Sequence, residues 1–132
     1  MNREILFKAK RKDNGKWVEG YYQKRFDLDG SEQHLIFWSK SYTVWEYAEI
    51  NPDTICQYTG LTDKNGKRIW ENDIVRNKKG DIGVAQWFEE HAAFMIWNKT
   101  KNCVCYLAEN DFSKIEVNGN VFDNLELLEA KE

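Results

Sequence analysis

The chain has 132 residues, of which 42% are hydrophobic and 14% aromatic, and its formal net charge is −3. This length and composition fit one packed domain, or one barrel with a subdomain. No apolar run reaches the roughly 20 residues that cross a membrane, and the first residues contain no apolar secretion signal. We therefore expect a cytoplasmic protein with no membrane contact, whose three cysteines are reduced.

The beginning of the chain predicts a β-hairpin. Apolar and polar residues alternate over 4–11, the Asn14-Gly15 pair predicts a tight turn, and 17–26 predicts the returning strand. Gly20 lies inside that returning strand, which indicates a bulge or the close approach of another backbone. Tyr21 and Tyr22 are adjacent in the strand, so only one of them can face the core.

Two more short strands are predicted before the first boundary, over 35–38 and 42–45. The single proline, Pro52, predicts a turn, because the residue before a proline avoids the helical conformation. We place the boundary of the chain there. It separates an N-terminal β-hairpin region, 1–52, from a second region, 53–128.

The most regular stretch of the sequence is 57–75. Its centre, Asp63 to Lys67, contains an Asn-Gly pair and predicts a hairpin, since both central residues of a type I′ turn need positive φ. A second polar turn is predicted at Glu71-Asn72-Asp73, before the apolar pair Ile74-Val75. The stretch therefore predicts a strand, a tight hairpin, a turn and a further strand.

The remainder of the chain predicts a series of short strands. They cover 82–88, 92–97, 103–107 and 115–117. One helical turn is predicted at 109–113, and Asn118-Gly119-Asn120 predicts another hairpin-type turn. Several short strands separated by turns are typical of a barrel or a sandwich.

The stretch 57–75 resembles the defining segment of the YopX family, small proteins of bacteriophages and of prophages in Gram-positive bacteria. The matching runs are Gln57 to Leu61, Asp63 to Lys67, Ile69 to Glu71 and Asp73 to Val75. Asn72 replaces the usual glycine, and asparagine is the next best residue at positive φ. The start of the chain at 5–9 and its ending at 117–128 also resemble the family, so the similarity spans the whole chain.

The resemblance implies a small β-barrel of the SH3 type and a phage setting in a bacterial host cell. It implies no particular activity. The fold that we predict is therefore mainly β, with at most one short helix. It consists of an SH3-like small β-barrel over 53–128 and the N-terminal β-hairpin region packed on it, or of one continuous compact domain.

Most residues of 57–75 have a structural reason to be there, because they make turns or supply a core. Five residues lack such a reason and are the predicted binding residues: Gln57, Tyr58, Arg68, Trp70 and Glu71. The chain also contains six Trp, six Tyr and seven Phe. Some exposed aromatic surface is therefore expected, at an interface with a partner or with a second copy of the chain.

Charge is unevenly distributed along the chain. Residues 1–25 have a net charge of +5, and residues 109–132 have a net charge of −5. Attraction between the two ends is one interpretation, and a nucleic-acid-binding surface is the other. The predicted phosphate contacts would be Lys8, Lys10, Arg11, Arg76, Lys78 and Lys79. We favour the first interpretation, because the overall balance is acidic.

No catalytic or metal-binding pattern stands out. Alternation along a strand places Cys103 and Cys105 on one face, about 7 Å apart along the backbone, and with Cys56 and a histidine they could bind zinc. Structural zinc sites usually pair cysteines as Cys-x₂₋₄-Cys, so burial in the core is the favoured interpretation. The sequence thus predicts no metal, no cofactor and no catalytic residue.

Three functions remain open on the sequence alone. The first is a non-enzymatic phage or prophage accessory protein that binds a protein partner or associates with itself. The second is a nucleic-acid-binding module that uses the basic residues named above. The third is an enzyme built on Asp73, Glu89 or His91, although no residue pattern orients these groups for acid–base chemistry.

Overall fold

The computed structural model describes residues 4–107 and 114–129. Within these ranges the chain is mainly β, with eleven strands, one four-residue α-helix and two short 3₁₀ turns. The strands are β1 Phe7–Lys10, β2 Trp17–Phe26, β3 Glu32–Ser39, β4 Trp45–Glu49, β5 Cys56–Thr62, β6 Arg68–Trp70, β7 Asp73–Arg76, β8 Ile82–Phe88, β9 Ala93–Asn98, β10 Cys103–Tyr106 and β11 Glu116–Asn120. The helix α1 is Glu126–Glu129, and the 3₁₀ turns are Pro52–Thr54 and Glu89–His91.

The strands form two antiparallel sheets, in the orders β4-β3-β2-β1-β5-β6 and β10-β9-β8-β7-β11. Each order has two ends, so the described residues form no closed barrel. The predicted mainly-β fold is confirmed, and the described residues contain one short helix. The SH3-like barrel stays a prediction.

The chain divides into two compact units, one ending at Tyr58 and the other beginning at Thr59. This division falls inside β5, whereas the boundary proposed from the sequence lies between residues 52 and 53. Each unit has its own set of hairpins and its own apolar cluster.

In the first unit, β2 pairs with two different strands along its length. Its first half pairs with β1, where Phe7 lies opposite Gly20, and its second half pairs with β3, where Tyr21 lies opposite Phe37. A Cβ atom on Gly20 would overlap the carbonyl oxygen of Phe37. The predicted close approach of another backbone at this glycine is confirmed.

The strand predicted over 42–45 is wrong, because β4 begins only at Trp45. Ser41 and Val44 instead form hydrogen bonds with each other in both directions, and Lys40 N donates to Val44 O. These bonds close a tight turn that uses the backbone groups a strand would need. Tyr42 is fully exposed within this turn.

The apolar cluster of the first unit is small. Its buried residues are Ala9, Ile36 and Ile50, and Phe7, Val18, Tyr22, Trp38 and Ile55 pack against them. Of the adjacent tyrosines, Tyr22 is therefore the one on the core side, while Tyr21 is 53% exposed. The prediction that only one of the pair faces the core is confirmed.

The apolar cluster of the second unit is larger. Its buried residues are Ile69, Val75, Ala85, Ile96, Leu107, Ile115 and Val117. Strands β8, β9 and β10 lie where the sequence predicts them, within one residue at each end.

Two expectations for the end of the chain have different outcomes. The hairpin-type turn at 118–120 is wrong, because β11 continues to Asn120 and pairs with β7. The register shifts between Val117 and Gly119, which is a β-bulge. A Cβ atom on Gly119 would overlap the side chain of Asn124, so the glycine serves a close contact in place of a turn. The helical turn predicted at 109–113 lies outside the described residues.

No helix within 4–107 and 114–129 is long and apolar enough to cross a membrane.

Candidate functional site

The five residues predicted to bind from the stretch 57–75 differ in exposure. Tyr58 and Trp70 are buried, while Gln57, Arg68 and Glu71 are partly exposed. The first two residues in sequence belong to the first unit and the other three to the second. Burial gives the two aromatic side chains a packing role, and a binding role for this set stays a prediction.

The hairpin in the same stretch depends on the carboxylate of Asp63. One oxygen accepts hydrogen bonds from Asn65 N and Lys67 N, both at 2.9 Å, and the other accepts from Val117 N at 3.0 Å. Burial raises the pKa of this carboxyl most strongly of any single effect, but the three backbone donors and the Lys67 charge outweigh it. The pKa of Asp63 is therefore lowered, and its ionised carboxylate accepts all three backbone hydrogen bonds.

The second turn of the stretch also has a structural carboxylate. Asn72 has φ of 71°, so asparagine does take the place of glycine there. Asp73 is buried, and its Oδ2 accepts a hydrogen bond of 2.8 Å from Trp70 N. Of the other residues in the enzyme hypothesis, Glu89 and His91 are exposed on a 3₁₀ turn. An enzyme built on these residues stays a hypothesis.

The basic residues at 8, 10 and 11 have partners within their own unit. The Nζ atoms of Lys8 and Lys10 lie 4.7 and 5.5 Å from the ring centroid of Trp17. Arg11 makes two hydrogen bonds to the carboxylate of Asp13, at 2.9 and 2.8 Å. The other predicted phosphate contacts, Arg76, Lys78 and Lys79, are exposed and belong to the second unit.

The three cysteines differ in their exposure. Cys56 is buried and its thiol donates to Thr54 O, so core packing is confirmed for it. Cys103 is exposed and Cys105 is half-buried, so core packing is wrong for Cys103. No group of three or more potential metal ligands occurs among the residues that the structure describes.

The first unit carries an exposed aromatic surface. We use the name aromatic face for Tyr21, Phe37, Trp45 and Tyr47 on β2, β3 and β4. Strand register places Tyr21, Phe37 and Tyr47 side by side across the three strands. The ring centroids of Phe37 and Tyr47 are 5.3 Å apart, and those of Tyr21 and Trp45 are 5.9 Å apart. The guanidinium carbon of Arg25 lies 5.9 Å from the ring centroid of Tyr47.

This face is accessible although its rings touch one another. Tyr21 and Trp45 are each 53% exposed, and Tyr47 is 57% exposed. Contiguous exposed apolar surface of this kind marks interaction sites in soluble proteins. Trp, Tyr and Arg are also the residues that contribute most to binding energy at protein interfaces.

The aromatic face ends at β4, which is the end strand of its sheet. Ile50 N donates to His34 O at 2.9 Å, which fixes the alternation of hydrogen-bonded residue pairs between β3 and β4. Following that alternation along β4, the N–H and C=O groups of Trp45 and Tyr47 point away from β3. They form an outward edge onto which another strand could add.

The far end of β4 is already covered. The carbonyl of Glu49 accepts a hydrogen bond of 3.0 Å from Lys12 N, and Arg11 forms a β-bridge with Ile50. The part of the edge that the described residues leave open is therefore short and covers residues 45–47, which we call the open edge.

A surface depression of about 420 Å³ lies beside the open edge. It is lined by Arg11, Trp38, Trp45, Glu46 and Tyr47. Its charged groups are already paired: Arg11 with Asp13, and Glu46 with Lys40 at 3.1 Å and with the Trp38 indole N–H at 3.2 Å. Aromatic rings and paired charged groups therefore both line the depression.

The sequence interpretation did not locate this surface. It identified Tyr21 as one of two candidates for exposure, but it placed the binding residues in the stretch 57–75. The available signal was the spacing of Trp45 and Tyr47, because residues two apart on a strand share a face. The incorrect strand prediction over 42–45 ended at Trp45, so it did not place Trp45 and Tyr47 on the same strand.

The fold and the surface define a mainly-β protein with an exposed strand edge next to a group of aromatic rings. The family model described as YopX protein matches residues 6–129. The chain therefore belongs to the YopX family, as its central stretch indicated. A search of curated proteins finds no match to the chain.

Proposed function

We propose that this protein is a non-enzymatic accessory protein of a phage or prophage that acts in the host cytoplasm by binding another protein. The observation that carries the proposal is the outward edge of β4 at residues 45–47, bordered by exposed aromatic rings. Membership of the YopX family supports the phage setting.

The bound partner would be an extended polypeptide segment that adds to β4 as a further strand. Main-chain hydrogen bonds to Trp45 and Tyr47 would supply affinity, and the adjacent depression would select the side chain. The segment would place a side chain in the depression, against the rings of Trp38, Trp45 and Tyr47. The short open edge limits strand pairing to a few residues, so the aromatic face would contribute much of the binding energy.

Two substitutions of Tyr47 distinguish the contribution of its backbone to binding from that of its side chain. Tyr47→Pro removes an N–H that points away from β3, so the existing sheet keeps its hydrogen bonds while strand addition is blocked. Tyr47→Ala removes only the ring. We expect Tyr47→Pro to lower partner affinity about tenfold more than Tyr47→Ala, since it removes a main-chain bond worth about 1 kcal/mol and adds a steric block.

The measurement is quantitative affinity isolation from phage-infected cells, followed by titration of the recovered protein against each variant. Tyr42→Ala is the matched control, because Tyr42 is a fully exposed tyrosine outside the aromatic face. Equal recovery of the same partner by wild type, Tyr47→Pro and Tyr42→Ala would contradict the proposal.

The same variants distinguish the other kinds of partner. Light scattering that shows a concentration-dependent dimer, lost in Tyr47→Pro, would mean that the added strand comes from a second copy. Recovery of nucleic acid that disappears steeply with added salt and is unaffected by Tyr47→Pro would favour the nucleic-acid function instead.

A further inference from the structure

The two accessible cysteines of the second unit form a closely spaced pair of thiols. Cys103 and Cys105 alternate along β10, and their Sγ atoms lie 3.8 Å apart. β10 is an end strand of its sheet. Cys105 packs against the apolar cluster of its unit, while Cys103 is exposed, so one thiol is anchored and the other is open to solvent.

The sulfur separation can be compared with the two bonds that such a pair could make. An ion that binds two thiolates at about 2.3 Å with tetrahedral angles holds the sulfur atoms about 3.8 Å apart. A disulfide requires a sulfur separation of about 2.05 Å and Cβ atoms about 3.8 Å apart. Alternate residues of a strand have side chains nearly 7 Å apart along the backbone, so a disulfide would force β10 to buckle.

We propose that Cys103 and Cys105 are a two-thiolate binding site for a soft divalent cation of the zinc and cadmium type. Binding replaces two S–H bonds by two metal–sulfur bonds and releases two protons, which leaves a neutral bis-thiolate complex. The cation would have two further coordination positions for water or for a ligand brought by another molecule. The site thus differs from a structural zinc site, in which four protein ligands close the coordination sphere.

Two features of the second unit favour this site. Pairing of β10 with β9 sets Cys103 opposite Asn98 and Cys105 opposite Ile96, so the backbone that carries both thiols is held in register. The sulfur atoms are already at the separation that the cation needs, so little reorganisation is required when it binds.

The test is a titration of the reduced full-length chain carrying Cys56→Ser, with cadmium as the probe. Cys56 lies in the first unit and is buried, so its removal leaves only the proposed pair of thiols. We expect an ultraviolet thiolate-to-metal charge-transfer band that saturates at one cadmium per chain, with release of two protons per ion. Adding Cys103→Ser or Cys105→Ser should abolish the band, while circular dichroism shows that each variant is folded.

Alkylation of thiols provides a second measurement on the chain without the Cys103 or Cys105 substitutions. Bound cadmium should slow the modification of both cysteines together. Absence of the charge-transfer band and of this protection would overturn the proposal, as would saturation at half an ion per chain. Rapid formation of a Cys103–Cys105 disulfide with peroxide, detected as a loss of two hydrogen masses, would show that the geometric comparison is wrong.

Discussion

The two units of this protein differ in the side chains that are most conspicuous in each. The first unit turns aromatic rings outward, at Tyr21, Trp45 and Tyr47, and has a small apolar cluster. The second unit buries polar side chains, such as Asp63 and Asp81, inside its turns. The stretch by which the family is recognised, 57–75, therefore consists mainly of turn and core residues. The aromatic face lies in another part of the chain, which has no recognisable motif.

The turn after β7 is a clear example of the second unit's design. Asn77 Oδ1 accepts hydrogen bonds from Lys79 N and Asp81 N, at 3.0 and 2.9 Å. The Asp81 carboxylate accepts from the amide groups of Asn77 and Asn98, each at 3.3 Å, and lies 3.5 Å from Lys101 Nζ. A short basic loop therefore contains a buried carboxylate with three partners at one of its oxygens.

The largest effect that we predict is in the first unit, at Gly20. Gly20→Ala should lower the free energy of unfolding by at least about 3 kcal/mol, because the new Cβ overlaps the backbone of Phe37 and cannot rotate away. Gly15→Ala is the control: it has open space but φ of 71°, and should cost only about 1 kcal/mol. Urea unfolding measures the free energy of unfolding of both variants. Equal losses of stability would contradict the conclusion that β2 needs a glycine where its pairing changes from β1 to β3.

The next largest effect is in the second unit, at Asp63. Asp63→Ala leaves three backbone N–H groups without their acceptor, one of them from the buried Val117, and should cost roughly 3 kcal/mol. Asp29→Ala is the matched control, because Asp29 accepts from Ser31 in an exposed turn. We expect Asp63→Ala to increase amide hydrogen exchange in the second unit, and Asp29→Ala to leave it unchanged. A similar response to both variants would contradict the difference that we draw between the units.

Acid should weaken the second unit by a smaller and graded amount. Burial raises the pKa of Asp81 most strongly of any single effect, but its hydrogen bonds from Asn98 and Asn77 and the Lys101 charge outweigh it, so the pKa is lowered. The pKa of Asp63 is also lowered in the folded chain. Both carboxylates therefore stabilise the fold above the unfolded aspartate pKa of about 3.9, and this stability is lost as pH falls through their lower folded values.

Urea unfolding midpoints measured from neutral pH down to about pH 3 test this dependence. The double variant Asp63→Asn, Asp81→Asn should be less stable at neutral pH and should lose less on acidification than the wild type. Equal acid sensitivity in the two proteins would mean that other carboxylates set the response.

Local patterns predicted the elements that depend on neighbouring residues alone. β8 follows from its alternation, and the turns at Gly15, Gly66 and Asn72 lie where the sequence predicts them, each with positive φ at that residue. The type I′ form predicted for the turn at 63–67 is wrong, because positive φ occurs at Gly66 and not at Asn65. The turn at 118–120 failed, because a glycine signal does not distinguish a turn from a bulge. That distinction depends on the partner strand β7, which no local pattern specifies.

The candidate surface was harder to predict for a similar reason. Two adjacent tyrosines in a strand predict that one of them is exposed. The strands that lie beside Tyr21, however, depend on the order of strands in the sheet. The outward direction of the Trp45 and Tyr47 backbone depends on the same order and on the register with β3. Composition indicated that aromatic rings would be exposed, and only the assembled sheet shows where.

The hydrogen bond between Asp63 and Val117 joins residues 54 positions apart in the chain. Its consequence concerns synthesis on the ribosome, where domains generally fold as units beginning at the N-terminus. The strand pairings of the first unit are complete once Gln57 has emerged, so its aromatic face can form early. The turn at Asp63 is made soon afterwards, yet it receives its last donor only after Val117 leaves the exit tunnel. From the emergence of Asp63 until Val117 follows it, the stretch by which this family is recognised is thus exposed to the cell without the contact that completes it.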